Sequence, residues 1–176
     1  GLRINKTSGA VDETISFGGR SILIKFSAAE GDLFSFFAES LSFNVGDFVT
    51  IEGSVSFTSV GGREIFAGDN LTIFLGQGPA RLANGELNPL ATGVMLSHGR
   101  IGLIRFANGG FAMVAEGTVS IVGVSGLTLT GTAVVRVNTS GVAVDETLEI
   151  PNSSSAPVEV EFTDGSGGTQ GDRLFY

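Results

Sequence analysis

The stretch Leu127–Val137, LTLTGTAVVRV, alternates apolar and polar side chains with a period of two. The apolar residues fall on one face and the threonines on the other, as in an antiparallel strand that is buried on one side. The segment Phe111–Val122 alternates in the same way, and the Gly-bounded turn 123–126 joins the two. Asn108-Gly109 marks a further hairpin turn, because both residues tolerate positive φ. Residues 100–138 are therefore predicted to form a three-stranded meander.

The same alternation recurs along the chain, and no window sustains the spacing of an amphipathic helix. The predicted fold class is all-β: antiparallel strands forming a two-sheet sandwich or β-roll, with at most one or two short helical turns. One of these turns is predicted at 79–83, in the long connection 76–93, because proline suits the first position of a helix. A parallel β-helix is the alternative, but its short repeat period is not visible. Further strands are predicted at 2–6, 14–17, 21–27, 70–75, 93–96, 147–150, 158–162 and 174–176.

A segment of the chain occurs twice. Val135–Thr147 reads VRVNTSGVAVDET and Leu2–Thr14 reads LRINKTSGAVDET, and the two align without a gap at seven identical positions. VEVEF at 158–162 likewise corresponds to ILIKF at 22–26. We therefore predict a single β domain, 1–176, that contains one repeat unit of about 133–141 residues and the start of a second copy at 135–176. The two segments should adopt similar local structures, and the expected partners are neighbouring copies of the same repeat in a parent chain.

A weaker internal similarity relates Phe36–Phe57 to Met113–Val135, with one inserted residue beside Gly117. This insertion predicts a β-bulge at that point. Common strand composition is an adequate alternative explanation for the similarity.

Composition limits the classes of function. The formal net charge of −8 and the pI near 4.5 argue against binding to nucleic acid, which requires lysine and arginine to neutralise phosphates. No apolar run approaches 18 residues, so membrane insertion is not expected. The chain has no cysteine and one histidine, which excludes thiolate catalysis, disulfides and a multi-histidine zinc site. Four Asn-x-Ser/Thr sequences, the glycosylation pattern, occur at Asn5, Asn70, Asn138 and Asn152.

No catalytic or cofactor-binding residue is expected, and the chain is not predicted to be an enzyme. His98 is predicted to be exposed in a hairpin turn between Leu96 and Ile101, without a nucleophile elbow nearby. The phenylalanines at positions 34, 36, 37, 43, 48 and 57 are expected in the core, and the alternative is that they line a lipid or ligand cavity.

Calcium is the one cofactor for which the sequence offers candidate ligands, and these are carboxylates. Hard cations take carboxylate and carbonyl oxygens from irregular loops, and acidic pairs occupy equivalent positions in the two copies. The alternative is that these carboxylates only solvate turns. Asp32, Asp172 and the Gly-rich tail 167–174, which is close to a calcium-binding nonapeptide, are weaker candidates. The proposed ligands are Asp145, Glu146, Asp12 and Glu13.

Three stretches carry a resemblance to a known class of repeat: the duplicated VRVN…VDET segment, AEGTVSIVGVSGLTLTGTAVVRVN at 115–138, and AGDNLTIFLG at 67–76. Together they resemble the β-rich tandem repeats, each of about 130 residues, in very large secreted, adhesin-like bacterial surface proteins. The resemblance implies a non-catalytic structural or adhesive module that is extracellular or on the cell surface. It names no cell-surface or matrix ligand. A module that binds carbohydrate or a small apolar ligand is the alternative.

Overall fold

The structure is a computed structural model that describes residues 1–45, 48–151, 154, 156–163 and 173–175. Within these residues the chain forms twelve β-strands and one turn of 3-10 helix at Ala28–Glu30, so the predicted all-β fold is confirmed. The strands are β1 (Leu2–Ile4), β2 (Val11–Phe17), β3 (Arg20–Phe26), β4 (Phe34–Val45), β5 (Val49–Val60), β6 (Arg63–Gln77), β7 (Thr92–Arg105), β8 (Phe111–Val122), β9 (Thr130–Asn138), β10 (Val144–Leu148), β11 (Val158–Phe162) and β12 (Arg173–Phe175).

Eight strands form one antiparallel sheet in the order β1-β4-β5-β6-β7-β8-β9-β12. Strands β4 to β9 follow chain order, and the predicted meander of residues 100–138 corresponds to β7, β8 and β9 and is confirmed. Gly61-Gly62 joins β5 to β6 with φ of 58° and 76°. Two consecutive positive φ values are what a two-residue hairpin turn requires, and glycine adopts them without steric cost. The pairs β2–β3 and β10–β11 form two separate hairpins.

A row of β-bulges crosses the sheet. The pairing register shifts between β4 and β5, β5 and β6, β6 and β7, and β7 and β8. The shifts contain residues with positive φ: Ser40, Gly53, Asn70 and His98, at 56°, 139°, 51° and 52°. Bulges bend a strand and increase its twist. The bulge that the sequence predicts beside Gly117 lies opposite that residue, in β7.

The main hydrophobic core lies between one face of the sheet and the β10–β11 hairpin. On the sheet side, Ala67, Ile104 and Ala112 are fully buried. Small side chains at two of these positions allow the hairpin to approach the sheet closely. Burial of each large side chain contributes about 1.5–3 kcal/mol, so hydrophobic contact is the main force that holds the hairpin. The hairpin contributes Val144, Leu148, Val158, Val160 and Phe162, each with at most 5% of its surface exposed.

A second, smaller core lies under the long connection between β6 and β7, where Phe74, Ala80 and Ala91 are buried. The helical turn predicted at 79–83 is wrong. The carbonyl of Ala80 accepts a hydrogen bond from the backbone N–H of Asn88 at 3.0 Å, whereas a helix would use a donor four residues away. Antiparallel backbone pairing within the connection, including Arg81 with Leu87, therefore shapes it.

Candidate functional site

The four carboxylates proposed as calcium ligands lie inside strands, so the expectation that they occupy loops is wrong. Consecutive residues of a strand point to opposite faces, which separates the two carboxylates of each acidic pair. Glu146 Oε1 pairs with Arg63 Nη2 at 2.8 Å at the edge of the main core. The strand positions are Asp12 and Glu13 in β2, and Asp145 and Glu146 in β10.

Neighbouring groups do not complete a metal site at these positions. In the part of the chain that the structure describes, no group of three or more His, Asp or Glu residues is placed to hold a metal ion. Asp12 pairs with Lys25 at 3.3 Å, and Asp32 Oδ2 accepts a hydrogen bond from the Ser8 hydroxyl at 3.3 Å. Asp172 and most of the Gly-rich tail lie outside the described residues. Calcium binding stays a prediction.

His98 lies in the middle of β7, in the bulge opposite Gly117, so the predicted hairpin turn is wrong. Its side chain is exposed, as predicted. A bulge tolerates the positive φ of His98 because the extra residue is left outside the regular ladder. Among the hydrogen bonds of the described residues, none links His98 to a serine or a carboxylate, which is the arrangement of a nucleophile and its base.

The duplicated segment forms the same loop twice, each time around a buried asparagine: Asn5 after β1 and Asn138 after β9. The side chain of Asn138, 1% exposed, donates from Nδ2 to the carbonyl of Val142 at 2.8 Å. Its Oδ1 accepts from the backbone N–H of Ser140 at 2.9 Å and from the Ser140 hydroxyl at 2.7 Å. This bonding satisfies a buried amide and holds the chain as it leaves the sheet.

The loop at Asn5 repeats each of these bonds. Asn5, 3% exposed, donates to the carbonyl of Gly9 at 2.8 Å and accepts from the Thr7 backbone N–H at 3.0 Å and hydroxyl at 2.8 Å. The hydroxyl bond requires Ser or Thr two residues after Asn. The Asn-x-Ser/Thr pattern at Asn5 and Asn138 is therefore explained by a structural loop whose amides are buried.

The hairpins that follow the two loops are equivalent in strand register and in the arginine that stacks on each of them. Val11 faces Phe26 as Val144 faces Phe162. Ile15 faces Ile22 as Leu148 faces Val158. An arginine stacks on the phenylalanine in both copies: Arg3 lies 4.9 Å from the ring centre of Phe26, and Arg136 lies 5.1 Å from that of Phe162. The predicted similarity of local structure in the two segments is confirmed.

Glu30 fixes the 3-10 turn that follows the first hairpin. The backbone N–H of Ser27 donates to Glu30 Oε2 at 2.7 Å, and Arg3 Nη1 lies 2.7 Å from Oε1. The hydrogen bond from the Ser27 backbone, with smaller contributions from the Ser27 hydroxyl and Arg3, lowers the pKa of Glu30 below its ordinary value of 4.5. The main-chain carbonyl of Glu30 also accepts from Asn5 Nδ2 at 3.0 Å, which ties this turn to the first Asn loop.

Polar contacts surround the core between the β10–β11 hairpin and the sheet. Arg63 pairs with Glu146, as described above. Arg100 Nη2 donates to the carbonyl of Pro157 at 2.8 Å, and the Ser56 hydroxyl donates to the carbonyl of Glu149 at 3.1 Å. These contacts fix the position of the hairpin, because each joins a side chain of the sheet to one particular residue of the hairpin.

The β2–β3 hairpin has an apolar face of the same kind that is open to solvent. Ile15, Phe17 and Ile22 are 51%, 56% and 51% exposed. The opposite face is polar apart from Leu23, since Asp12, Thr14 and Ser16 point that way in β2. An apolar patch on one side of an amphipathic hairpin typically marks an interaction surface.

The sheet face opposite the main core is also open. The expectation that the phenylalanines form the core is wrong for Phe34, Phe36, Phe43 and Phe48, which are 37–64% exposed. The cross-strand register places Phe36, Phe57 and Phe66 in one row, which Leu103 and Met113 continue across β7 and β8. A shallow groove of about 190 Å³ is lined by, among others, Leu71, Ile73, Leu96, Ala115 and Val135.

No family model, no curated protein and no solved structure matches the chain. Within the residues that the structure describes, no helix is long and apolar enough to cross a membrane.

Proposed function

We propose that the chain is a non-catalytic structural or adhesive repeat module of a large bacterial protein that is secreted or held on the cell surface. One observation carries this proposal. The motif of strand, Asn-centred loop and amphipathic hairpin occurs twice, with the same hydrogen bonds and the same strand register. A motif that begins at Leu2 and recurs at Val135 supports a tandem arrangement of units, in which each unit contacts its neighbours.

The acidic composition supports an extracellular location, because it suits a soluble exported surface. The resemblance to tandem repeats of large bacterial surface proteins supports the same assignment. The proposed partners are neighbouring copies of the unit.

Cell fractionation tests this proposal. An antibody raised against the chain would be used to probe the cytosolic, surface and medium fractions of the cells that encode it. We expect a reactive protein several times larger than 18.1 kDa in the surface or medium fraction, and protease treatment of intact cells should degrade it. A reactive protein of about 18 kDa that is confined to the cytosol would contradict the proposal.

Binding of a carbohydrate or a small apolar ligand is the second candidate, and the open sheet face with its apolar groove favours it. The groove is smaller than the roughly 300–1,000 Å³ that is typical of small-molecule sites. A glycan array and a thermal-shift titration with a medium-chain fatty acid test this candidate. Ala115→Leu, which places a larger side chain in the groove, should abolish any shift that depends on it.

A further inference from the structure

Residues Val135–Val137 of β9 are the second copy of Leu2–Ile4 in β1. At these residues β9 pairs with a neighbouring strand on each of its two edges. Residues Val135–Val137 face Ala115, Val114 and Met113 of β8 on one side. On the other side the same three residues face Phe175, Leu174 and Arg173 of β12. The equivalent residues of β1, Leu2–Ile4, face β4 on one side and lie at the outer edge of the sheet on the other. An unpaired edge strand is a template for pairing with another chain.

The apolar face of the β2–β3 hairpin corresponds, residue by residue, to the face with which β10–β11 covers the sheet. Ile15 and Ile22 are each 51% exposed, whereas their equivalents Leu148 and Val158 are 5% and 4% exposed. The exposed fractions differ because a sheet lies beneath the second hairpin. The equivalent pairs are Val11 and Val144, Ile15 and Leu148, Ile22 and Val158, Ile24 and Val160, and Phe26 and Phe162.

The first hairpin also has residues equivalent to those that make the polar contacts of the second. Glu146 pairs with Arg63, and the residue equivalent to Glu146 is Glu13, which has no ion-pair partner among the described residues. The carbonyl of Pro157 accepts from Arg100, and the equivalent position in β3 is Ser21, which also provides a carbonyl. The first hairpin therefore has a carboxylate and apolar side chains at the positions through which the second hairpin contacts the sheet.

We propose that β1 and the β2–β3 hairpin dock on a second copy of this chain that precedes it in the array. β1 would pair with β8 of the preceding copy, and the hairpin would cover that copy's sheet as β10–β11 covers the sheet here. Consecutive units then share one continuous antiparallel sheet, without a flexible linker. This inference rests on the proposed tandem arrangement and adds the contact surfaces to it.

A cysteine-labelling experiment on a two-copy chain tests the docking. Residues 1–134 of one copy continue directly into Leu2 of a second copy, which runs to Tyr176. The chain has no cysteine, so a single substitution gives a unique thiol. Ile22→Cys would be placed in the second copy of this protein and, separately, in the single chain. The rate at which each introduced thiol reacts with a maleimide would then be measured in the folded protein.

Two matched controls give the reaction rates of an exposed thiol and of a covered thiol. Leu23→Cys lies on the opposite face of the hairpin, where the exposed fraction is 62%. Val158→Cys in the single chain reports the rate of a thiol that is covered by the sheet. We expect Ile22→Cys to react about as fast as Leu23→Cys in the single chain. In the two-copy chain we expect it to react at least about a hundredfold more slowly, because labelling then requires the hairpin to open.

Equal rates for Ile22→Cys and Leu23→Cys in the two-copy chain would overturn the docking. That result would leave the proposed function to be decided by cell fractionation. Conversely, protection of Ile22→Cys together with an 18 kDa cytosolic protein in cells would support the complementary surfaces and refute the proposed function.

Discussion

Replacement of Gly102 by alanine tests whether the main core depends on close approach of the β10–β11 hairpin to the sheet. A Cβ atom at this position would lie 2.5 Å from Val160 Cγ2, 3.0 Å from Val158 Cγ1 and 3.3 Å from Leu148 Cδ1. Distances under 3.0 Å essentially never occur for real Cβ atoms. Val160 is fully buried, so its side chain cannot turn away into solvent. The hairpin must therefore shift away from the sheet.

The expected change in the free energy of unfolding follows from two opposing effects. Overpacking of a well-filled core costs about 1–3 kcal/mol. The smaller conformational entropy of alanine in the unfolded chain offsets about 0.4–1 kcal/mol of this cost. The free energy of unfolding of Gly102→Ala should therefore fall by about 1–2 kcal/mol. For a chain of this size, Tm should decrease by about 2–8 °C.

Urea and thermal denaturation, followed by circular dichroism, measure this difference. Gly131→Ala is the matched control, because Gly131 lies in β9 and a Cβ there would meet nothing within 4 Å. Stability of the control should be unchanged or slightly raised. In a Val160→Ala background, Gly102→Ala should cost much less, since the clashing methyl group is absent. If Gly102→Ala and Gly131→Ala are equally stable, the close approach of the hairpin does not limit stability and the reasoning fails.

Three further predictions concern the Asn loops and the carboxylates. Asn138→Ala should lower the free energy of unfolding by about 2 kcal/mol or more in urea titrations, because the backbone groups of Ser140 and Val142 lose a buried partner; Asn84→Ala, in an exposed loop, should cost less than about 1 kcal/mol. The lowered pKa of Glu30 means that its carboxylate stabilises the fold above the ordinary value of 4.5 and that this stabilisation is lost as pH falls through the lower folded value. The difference in Tm between the wild type and Glu30→Gln should accordingly shrink from pH 6 to about pH 3. A difference that stays constant would argue against a stabilising Glu30 carboxylate with a lowered pKa. Melting curves in excess chelator and in about 5–10 mM calcium test the calcium prediction: a rise in Tm of a few degrees in calcium would support binding, and superimposable curves would mean that the four carboxylates, which point to opposite faces of their strands, bind no calcium.

The sequence predicts the strands well where alternation is unbroken and poorly where bulges interrupt it. β6 is 15 residues long, whereas the alternation predicts only the fragment 70–75. β7 is 14 residues long, whereas the alternation predicts the fragment 93–96 and a separate strand that begins at residue 100. A bulge adds one residue to a strand, so the apolar positions change parity beyond it. Asn70 and His98 lie in such bulges. His98 resembles a turn residue in the sequence for this reason.

Strand ends are harder to predict for a different reason. β9 begins at Thr130, although the alternation starts at Leu127. Leu127 and Leu129 are 51% and 49% exposed, and both precede the first strand pair, Thr130 with Ser120. Apolar alternation indicates which side chains share a face, but it does not show where a neighbouring strand is available to pair.

The repeated segment can be found from the sequence, but its chemistry cannot. VDET resembles a loop because it follows Ser and Gly, yet Val144 begins β10 and the acidic residues continue the strand. The informative signal is the Asn with Ser or Thr two residues later, which is present in both copies. Its meaning depends on burial, since an exposed Asn-x-Ser/Thr and a buried hydrogen-bonded one have the same sequence.

A shared sheet would change how the stability of an array depends on its length. Every isolated unit leaves the edge of β1 unpaired and the apolar face of one hairpin exposed, and both promote association. In a continuous sheet these features remain only at the end of the array, so the exposed fraction falls as units are added. In such an array each internal hairpin would belong to one unit by sequence and would pack on the preceding unit. The free energy of unfolding of the array should then contain a large term for each interface between neighbours, as it does in solenoid proteins. A substitution such as Gly102→Ala would weaken the contact between two units, whereas a substitution on the open face with its row of phenylalanines would not.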